Sequence, residues 1–136
     1  MRKQAFAASG FFFATPEYNG FTSAALKNAI DWLSRDGPEG VSPLKGKPMA
    51  IVSAGGGGGG IRAQRNLAAI GTDFRMPMIG EVGGIAVRLF DGTQRFTAEG
   101  DLVDEGVRAA IAALVAQLDA AAKAHAAAAA AGAASQ

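Results

Sequence analysis

Gly10–Arg35, GFFFATPEYNGFTSAALKNAIDWLSR, is the stretch whose reading decides the fold. It opens on Phe11, Phe12 and Phe13, held between Gly10 and the turn-prone pair Thr15-Pro16. A short apolar run without polar alternation reads as a strand buried on both faces. Pro16 has no N–H and biases Thr15 towards extended backbone, so the strand is expected to stop there and pass into the loop Glu17–Gly20. Thr22 or Ser23 can then cap a helix whose apolar positions Leu26, Ala29, Ile30 and Leu33 recur at three- and four-residue spacing. Trp32 falls at the same spacing and is assigned to the core or to a subunit contact. Strand, polar loop and helix in this order put the loop at the carboxyl edge of a parallel sheet, where open α/β folds bind ligands.

Working outward, residues 1–9 form an approach to this strand that is partly helical. MRKQAFAASGFFFATP superficially resembles a short signal peptide, but Ser9 and Gly10 interrupt its apolar centre and it runs into the polar loop. The strand reading is preferred. Behind the helix, residues 36–48 (DGPEGVSPLKGKP) are rich in Gly and Pro and read as an exposed connection. Met49–Val52 is a second buried parallel strand.

Ser53 and Ala54 lead into six glycines, Gly55–Gly60, and then a helix from Ile61 to about Ile70. Glycine-rich backbone between a strand and a helix lets N–H groups approach an anion or a flat ring. A P-loop is excluded, because the run ends Gly-Gly-Ile rather than Gly-Lys-Ser/Thr. GxGxxG spacing is met trivially by any six glycines, and no acidic residue follows a convincing second strand about 20 residues on, so a dinucleotide fingerprint is weak. A mobile low-complexity insertion is the open alternative. Residues 74–81 (FRMPMIGE) have the length and position of a last strand, with Pro77 restricting it to an edge or lying at its start; Val82–Phe90 either extends it or forms an arm. Asp91-Gly92 marks a turn. Asp101 or Asp104 caps a final helix with Val107, Ile111, Leu114, Val115 and Leu118 at helical period. From Ala120 the chain is almost pure alanine, which continues a helix without a large face to pack.

The 136 residues fit one domain, and the net charge of +1 without a Lys/Arg block argues against a nucleic-acid surface. The absence of cysteine excludes disulfides, thiol nucleophiles and thiolate metal sites. His125, the sole histidine, lies in the alanine tail, so neither a catalytic side chain nor a metal site is assigned. No run approaches the roughly 18–20 apolar residues of a membrane-spanning helix.

TPEYNG followed by LKNAIDWLSR resembles the signature of the NAD(P)H-dependent FMN reductase family, which includes quinone and chromate reductases. PLKGKPMAIVSAGGGGGGIRAQRNL is similar to that family's second flavin-side strand, loop and helix, and FTAEGDLVDEGVRAAIAAL echoes its last helix. The resemblance runs from about residue 5 to residue 118 in family order. It implies a flavodoxin-like α/β three-layer sandwich with a parallel sheet, N-terminally truncated. The family's first strand, Ser-rich phosphate loop, helix and second strand precede the part matched here. On this expectation residues 1–118 are a partial domain, 119–136 an Ala-rich tail, and the Phe11–Phe13 strand becomes an edge. The chain would be a fragment of a longer product.

The resemblance further implies FMN as cofactor and NADPH or NADH as co-substrate, with the flavin performing the redox chemistry. Thr15, Pro16, Glu17, Tyr18 and Asn19 would lie along the flavin ring, with Ser53, Ala54, Gly55 and Gly56 approaching from the next strand. The electron acceptor would be a small molecule, either a quinone, a flavin or a metal oxyanion. A cytoplasmic homodimer or homotetramer is expected, with no nucleic-acid partner. The alternative is a self-associating, non-enzymatic flavodoxin-like fragment; a phosphate binder through the glycine run is a third reading.

Overall fold

Two parallel strands, each apolar for most of its length, form the middle of the fold. The computed structural model describes residues 1–37 and 40–134, and runs α1 (Arg2–Ala7), β1 (Phe11–Tyr18), β2 (Phe21–Thr22), α2 (Ala24–Leu33), β3 (Met49–Gly55), α3 (Ile61–Asp73), β4 (Ala86–Arg88) and α4 (Glu105–Ala134). The strand order is β2-β1-β3-β4. β1 pairs with β3 in parallel from Phe11↔Met49 to Pro16↔Ala54, and β3 with β4 in parallel from Ser53↔Ala86 to Gly55↔Arg88. β2 is an antiparallel return from β1.

Side chains alternate across these strands and define two cores. Phe13, Met49 and Ile51 pack with Ala5, Ile30, Leu33, Leu44 and Leu67 from the side of α1, α2 and α3. Ala50 and Val52 point the other way, against Leu114 and Leu118 of α4. Helices thus cover both faces, giving the α/β three-layer, flavodoxin-like arrangement. Ser23 caps α2, its Oγ accepting from Leu26 N at 3.3 Å, and Asp104 caps α4, its Oδ1 accepting from Val107 N at 3.0 Å. Among the described residues, no helix is long and apolar enough to cross a membrane.

Several local expectations are corrected. β1 does not stop at Pro16 but continues to Tyr18. Proline is admitted on an edge strand, and on its outer side β1 pairs only at Glu17 and Tyr18. The phenylalanine run is not covered on both faces. Phe11 and Phe13 stack at 5.9 Å on the α2–α3 side, with Phe13 8 % exposed, whereas Phe12 on the α4 side is 37 % exposed. Residues 74–81 form no strand. They touch β3 through an isolated Met49↔Met78 bridge, then turn away at Gly80 and Gly83, and the sheet resumes only at β4. Trp32 is 59 % exposed and is not a core residue.

The connection behind α2 is not simply exposed; Pro38 and Glu39 lie outside the described residues. Ser42, Pro43 and Leu44 are buried, with Ser42 Oγ donating to Leu33 O at 3.0 Å and accepting from Leu44 N at 3.2 Å. This small hydrogen-bonded turn drives Leu44 into the core. The alanine stretch continues α4 without interruption past residue 119. A Cβ placed at Gly10 would lie 3.2 Å from Ala122 Cβ, so the stretch still packs on the start of β1; Ser135 and Gln136 lie outside the described residues.

Leu44→Ala is expected to destabilise the chain by roughly 2–4 kcal/mol, since it empties a fully buried site. Val41→Ala, at an exposed position three residues earlier, should stay within about 0.5 kcal/mol. Denaturant unfolding of the two variants measures the difference.

Candidate functional site

Parallel pairing makes β1 and β3 end side by side, with Thr15 opposite Ser53 and Pro16 opposite Ala54. Beyond Pro16 the chain forms a hairpin through Asn19-Gly20, whose φ values of 51° and 85° are both left-handed. Two-residue hairpin loops require such backbone, and Asn-Gly is the pair that adopts it most readily. The hairpin holds Tyr18 and Phe21 outward, 63 % and 65 % exposed.

Thr15 is buried and its hydroxyl is fully engaged. Oγ1 donates to Pro16 O at 2.8 Å, leaving Thr22 Oγ1 to donate to it at 2.8 Å and Ser23 N at 3.2 Å. The hydroxyl therefore joins β1 to β2 and α2. Glu17 is also committed. Its Oε2 accepts from Arg62 N at 3.0 Å and its Oε1 from Arg62 Nε at 2.8 Å, so the carboxylate sits on the N-terminus of α3. Burial opposes the charge on Glu17. Hydrogen bonds from the Arg62 side chain and from the Arg62 and Ala63 backbone, with the guanidinium charge, outweigh it and hold the carboxyl below its ordinary value.

The glycine run is a built turn rather than a loose insertion. Ser53 Oγ donates to Gly59 O at 2.8 Å and accepts from Gln64 Nε2 at 2.8 Å. Gln64, fully buried, also donates to Ile85 O at 2.8 Å and accepts from Gly83 N at 2.7 Å. One amide thus ties β3, the glycine turn and the segment entering β4. Gly59 and Gly60 have φ of 62° and 87°; a Cβ would overlap the Ala86 carbonyl at the first and Ser53 at the second. Gly57 and Gly58 face open space. Phe90, 84 % exposed, stands beside Gly56, where a Cβ would lie 3.4 Å from its ring.

Of the residues expected to bind cofactor, Thr15, Pro16, Ser53 and Ala54 meet around one apolar cleft of about 370 Å³ closed by Val87 and Phe96. Glu17 lies against Gly55, its Cβ 3.4 Å from where a Gly55 Cβ would be. Tyr18 lines a different cavity, about 550 Å³, with Phe21, Asn66 and Ile70, and Asn66 Oδ1 is buried there without a protein partner. The site therefore offers backbone, glycine surface and aromatic edges, while its acidic and hydroxyl groups are occupied. Sequence reasoning missed Gln64, Arg62 and Asn66. The available signal for Gln64 was its place on the α3 face that also carries Leu67 and Gly71.

Residues 1–89 match the NADPH-dependent FMN reductase family. The chain belongs to that family. Similar relatives include an NADPH:quinone oxidoreductase of Arabidopsis thaliana, 44 % identical over 104 residues, covering 76 % of this chain and 50 % of the relative. A probable NADPH:quinone oxidoreductase 1 of Oryza sativa subsp. japonica is 39 % identical over 113 residues, 83 % of this chain and 55 % of the relative. The chain spans about half the length of these relatives. Among solved structures, the flavoenzyme NAD(P)H:(acceptor) oxidoreductase FerB of Paracoccus denitrificans superposes with a TM-score of 0.65 at 24 % identity, over 88 % of this chain and 66 % of FerB, a likeness of fold.

Gly59→Ala and Gly60→Ala are each expected to cost at least about 2 kcal/mol, from left-handed backbone plus overlap with neighbouring atoms. Gly57→Ala should change stability by less than about 0.5 kcal/mol. Thermal unfolding of the three variants separates a built turn from an unstructured one.

Because the folded-state value of Glu17 is depressed, its stabilisation is complete above its ordinary 4.5 and is lost as pH falls through the folded value. Glu17→Gln should therefore be less stable than the parent at neutral pH, with the gap closing as pH falls below 4.5 and through the lowered folded-state value. Urea midpoints measured across that range check the sign.

Proposed function

We propose that this chain contributes the ring-side half of an NAD(P)H-dependent FMN or quinone reductase, passing reducing equivalents from a nicotinamide through FMN to a quinone. The observation that carries the reading is the juxtaposition, at the carboxyl edge, of the Pro16–Asn19 hairpin and the Gly55–Gly60 turn. The relatives' names as NADPH:quinone oxidoreductases support the same activity.

The residues present fit a flat, largely apolar ring. Gly57 and Gly58 leave open space, Phe90 presents an exposed aromatic face beside Gly56, and the Ala54–Gly56 backbone allows close approach. FMN, when bound, supplies the capacity to accept and release a hydride equivalent. The protein's part is to orient the ring and keep its surroundings fixed, and the Gln64–Ser53 hydrogen bonds hold the glycine turn for that purpose. The N-terminus of α3 is taken by the Glu17 carboxylate, so it would not be the group that holds a phosphate. No side-chain acid or base is required, in keeping with the engagement of Thr15, Glu17 and Ser53. Thr15, Pro16, Ser53 and Ala54 form the apolar floor, Asn19, Gly55 and Gly56 form the rim, and Tyr18 faces the separate cavity beside Phe21 and Asn66. The exposed Tyr18, Phe21 and Trp32 favour assembly as a homodimer or homotetramer, and dependence on NAD(P)H favours a cytoplasmic setting.

FMN titrated into the 136-residue chain should lose fluorescence saturably, and NADPH oxidation with a benzoquinone should depend on added FMN. Phe90→Ala should weaken FMN binding by roughly tenfold through loss of the aromatic contact beside Gly56. A folded chain that leaves FMN fluorescence unchanged up to about 1 mM overturns the reading.

A further inference from the structure

Across the sheet from this site, where β1 and β3 begin, lies a cavity of about 700 Å³ lined by Arg2, Lys3, Phe6, Val41, Lys45 and Lys47. Four cations converge here in a chain whose net charge is only +1, and no carboxylate lines the cavity among the described residues. Two of the four are fixed by helix ends. Arg2 donates to the carbonyls of Trp32, Arg35 and Asp36 at 2.7, 3.0 and 2.9 Å, behind α2. Lys47 Nζ donates to Ala5 O and Phe6 O at 2.9 and 3.0 Å, at the end of α1. Those carbonyls are neutral groups, so they anchor the cations without balancing their charge. The Lys3 and Lys45 side chains are exposed and have no hydrogen-bond or ion-pair partner among the described residues. Burial lowers the Lys47 pKa, a cost that an adjacent anion would offset.

The cavity also has an apolar wall. The Phe6 ring lies across Gly37 with the Arg2 guanidinium 5.8 Å from its centroid, and Val41 is 42 % exposed. We propose that this cavity is a second binding site, which takes a small organic polyanion bearing phosphate groups, with the chemistry of a nucleoside diphosphate. Lysine ammoniums act as point charges suited to phosphate oxygens, and Arg2 and Lys47 keep N–H donors that their carbonyl bonds do not use. Phe6 and Val41 accept the flat organic body, and the volume lies in the range of small-molecule sites. The proposal is independent of the reductase reading, because the strands' starting edge and their carboxyl edge share no residue.

The test follows backbone amide shifts of the 136-residue chain by NMR as ADP, pyrophosphate or adenosine is added at constant ionic strength. ADP should shift residues 2–6 and 41–47 saturably, pyrophosphate should shift the same residues more weakly, and adenosine should not. Lys3→Glu/Lys45→Glu should reduce ADP affinity by at least about tenfold with an unchanged melting temperature, since neither side chain has a partner to lose. If that variant does not fold, Lys45→Gln with a roughly threefold loss serves instead. ADP shifts confined to residues 55–62, shifts that equal sodium chloride reproduces, or unchanged affinity in the charge variants would overturn the proposal.

Discussion

The parallel pairing of Phe11–Pro16 with Met49–Ala54 is the constraint on which the rest of the structure depends. It brings together two strands joined through α2 and a long connection, and it fixes both ends at once. At one end it sets Thr15-Pro16 beside Ser53-Ala54, and at the other it sets Phe11 beside Met49. The register also decides what each helix layer receives. Phe13 and Ile51 go to α2 and α3, while the smaller Ala50 and Val52 go to α4. A slip of one residue would exchange these sets and leave the large side chains against α4.

Helix ends are satisfied in a way that separates charge across the sheet. The N-terminus of α3 receives Glu17, and carbonyls in the last turns of α1 and α2 receive Lys47 and Arg2. Each pairing has the sign that the helix dipole favours. The carboxyl edge is left with its acid neutralised and its surface made of glycine, apolar and aromatic groups, which suits a cofactor that brings its own chemistry. The starting edge keeps unbalanced positive charge. Gln64 does for the glycine turn what the strand register does for the sheet, because one buried amide holds three segments with donors and acceptor all used.

Much of the fold was legible locally. The spacing of Leu26, Ile30 and Leu33 and the cap at Ser23 gave α2, and the apolar run at Met49 gave β3. The family motifs located both loops of the candidate site. What escaped was set by distant partners. Pro16 reads locally as a stop, yet an edge strand accommodates it. Residues 74–81 resembled a strand in composition, but Gly80 and Gly83 turn the chain before it can pair. Leu44 looked like loop residue because nothing local marks the Ser42 turn that buries it.

The sequence by itself determined the elements whose signals lie within a few residues: the helical stripes, the caps to within a choice of two residues each, and the position of the glycine run between strand and helix. These depend on backbone preference and short spacing, which neighbouring residues set. Only the tertiary structure decided which polar groups remain free to act. Glu17 finds Arg62 across 45 positions and Lys47 finds Ala5 across 42, and each could have met other partners in another arrangement. Hydrogen bonding depends on ångström-scale distance, and across such separations that distance is set by strand pairing and helix packing rather than by residue type.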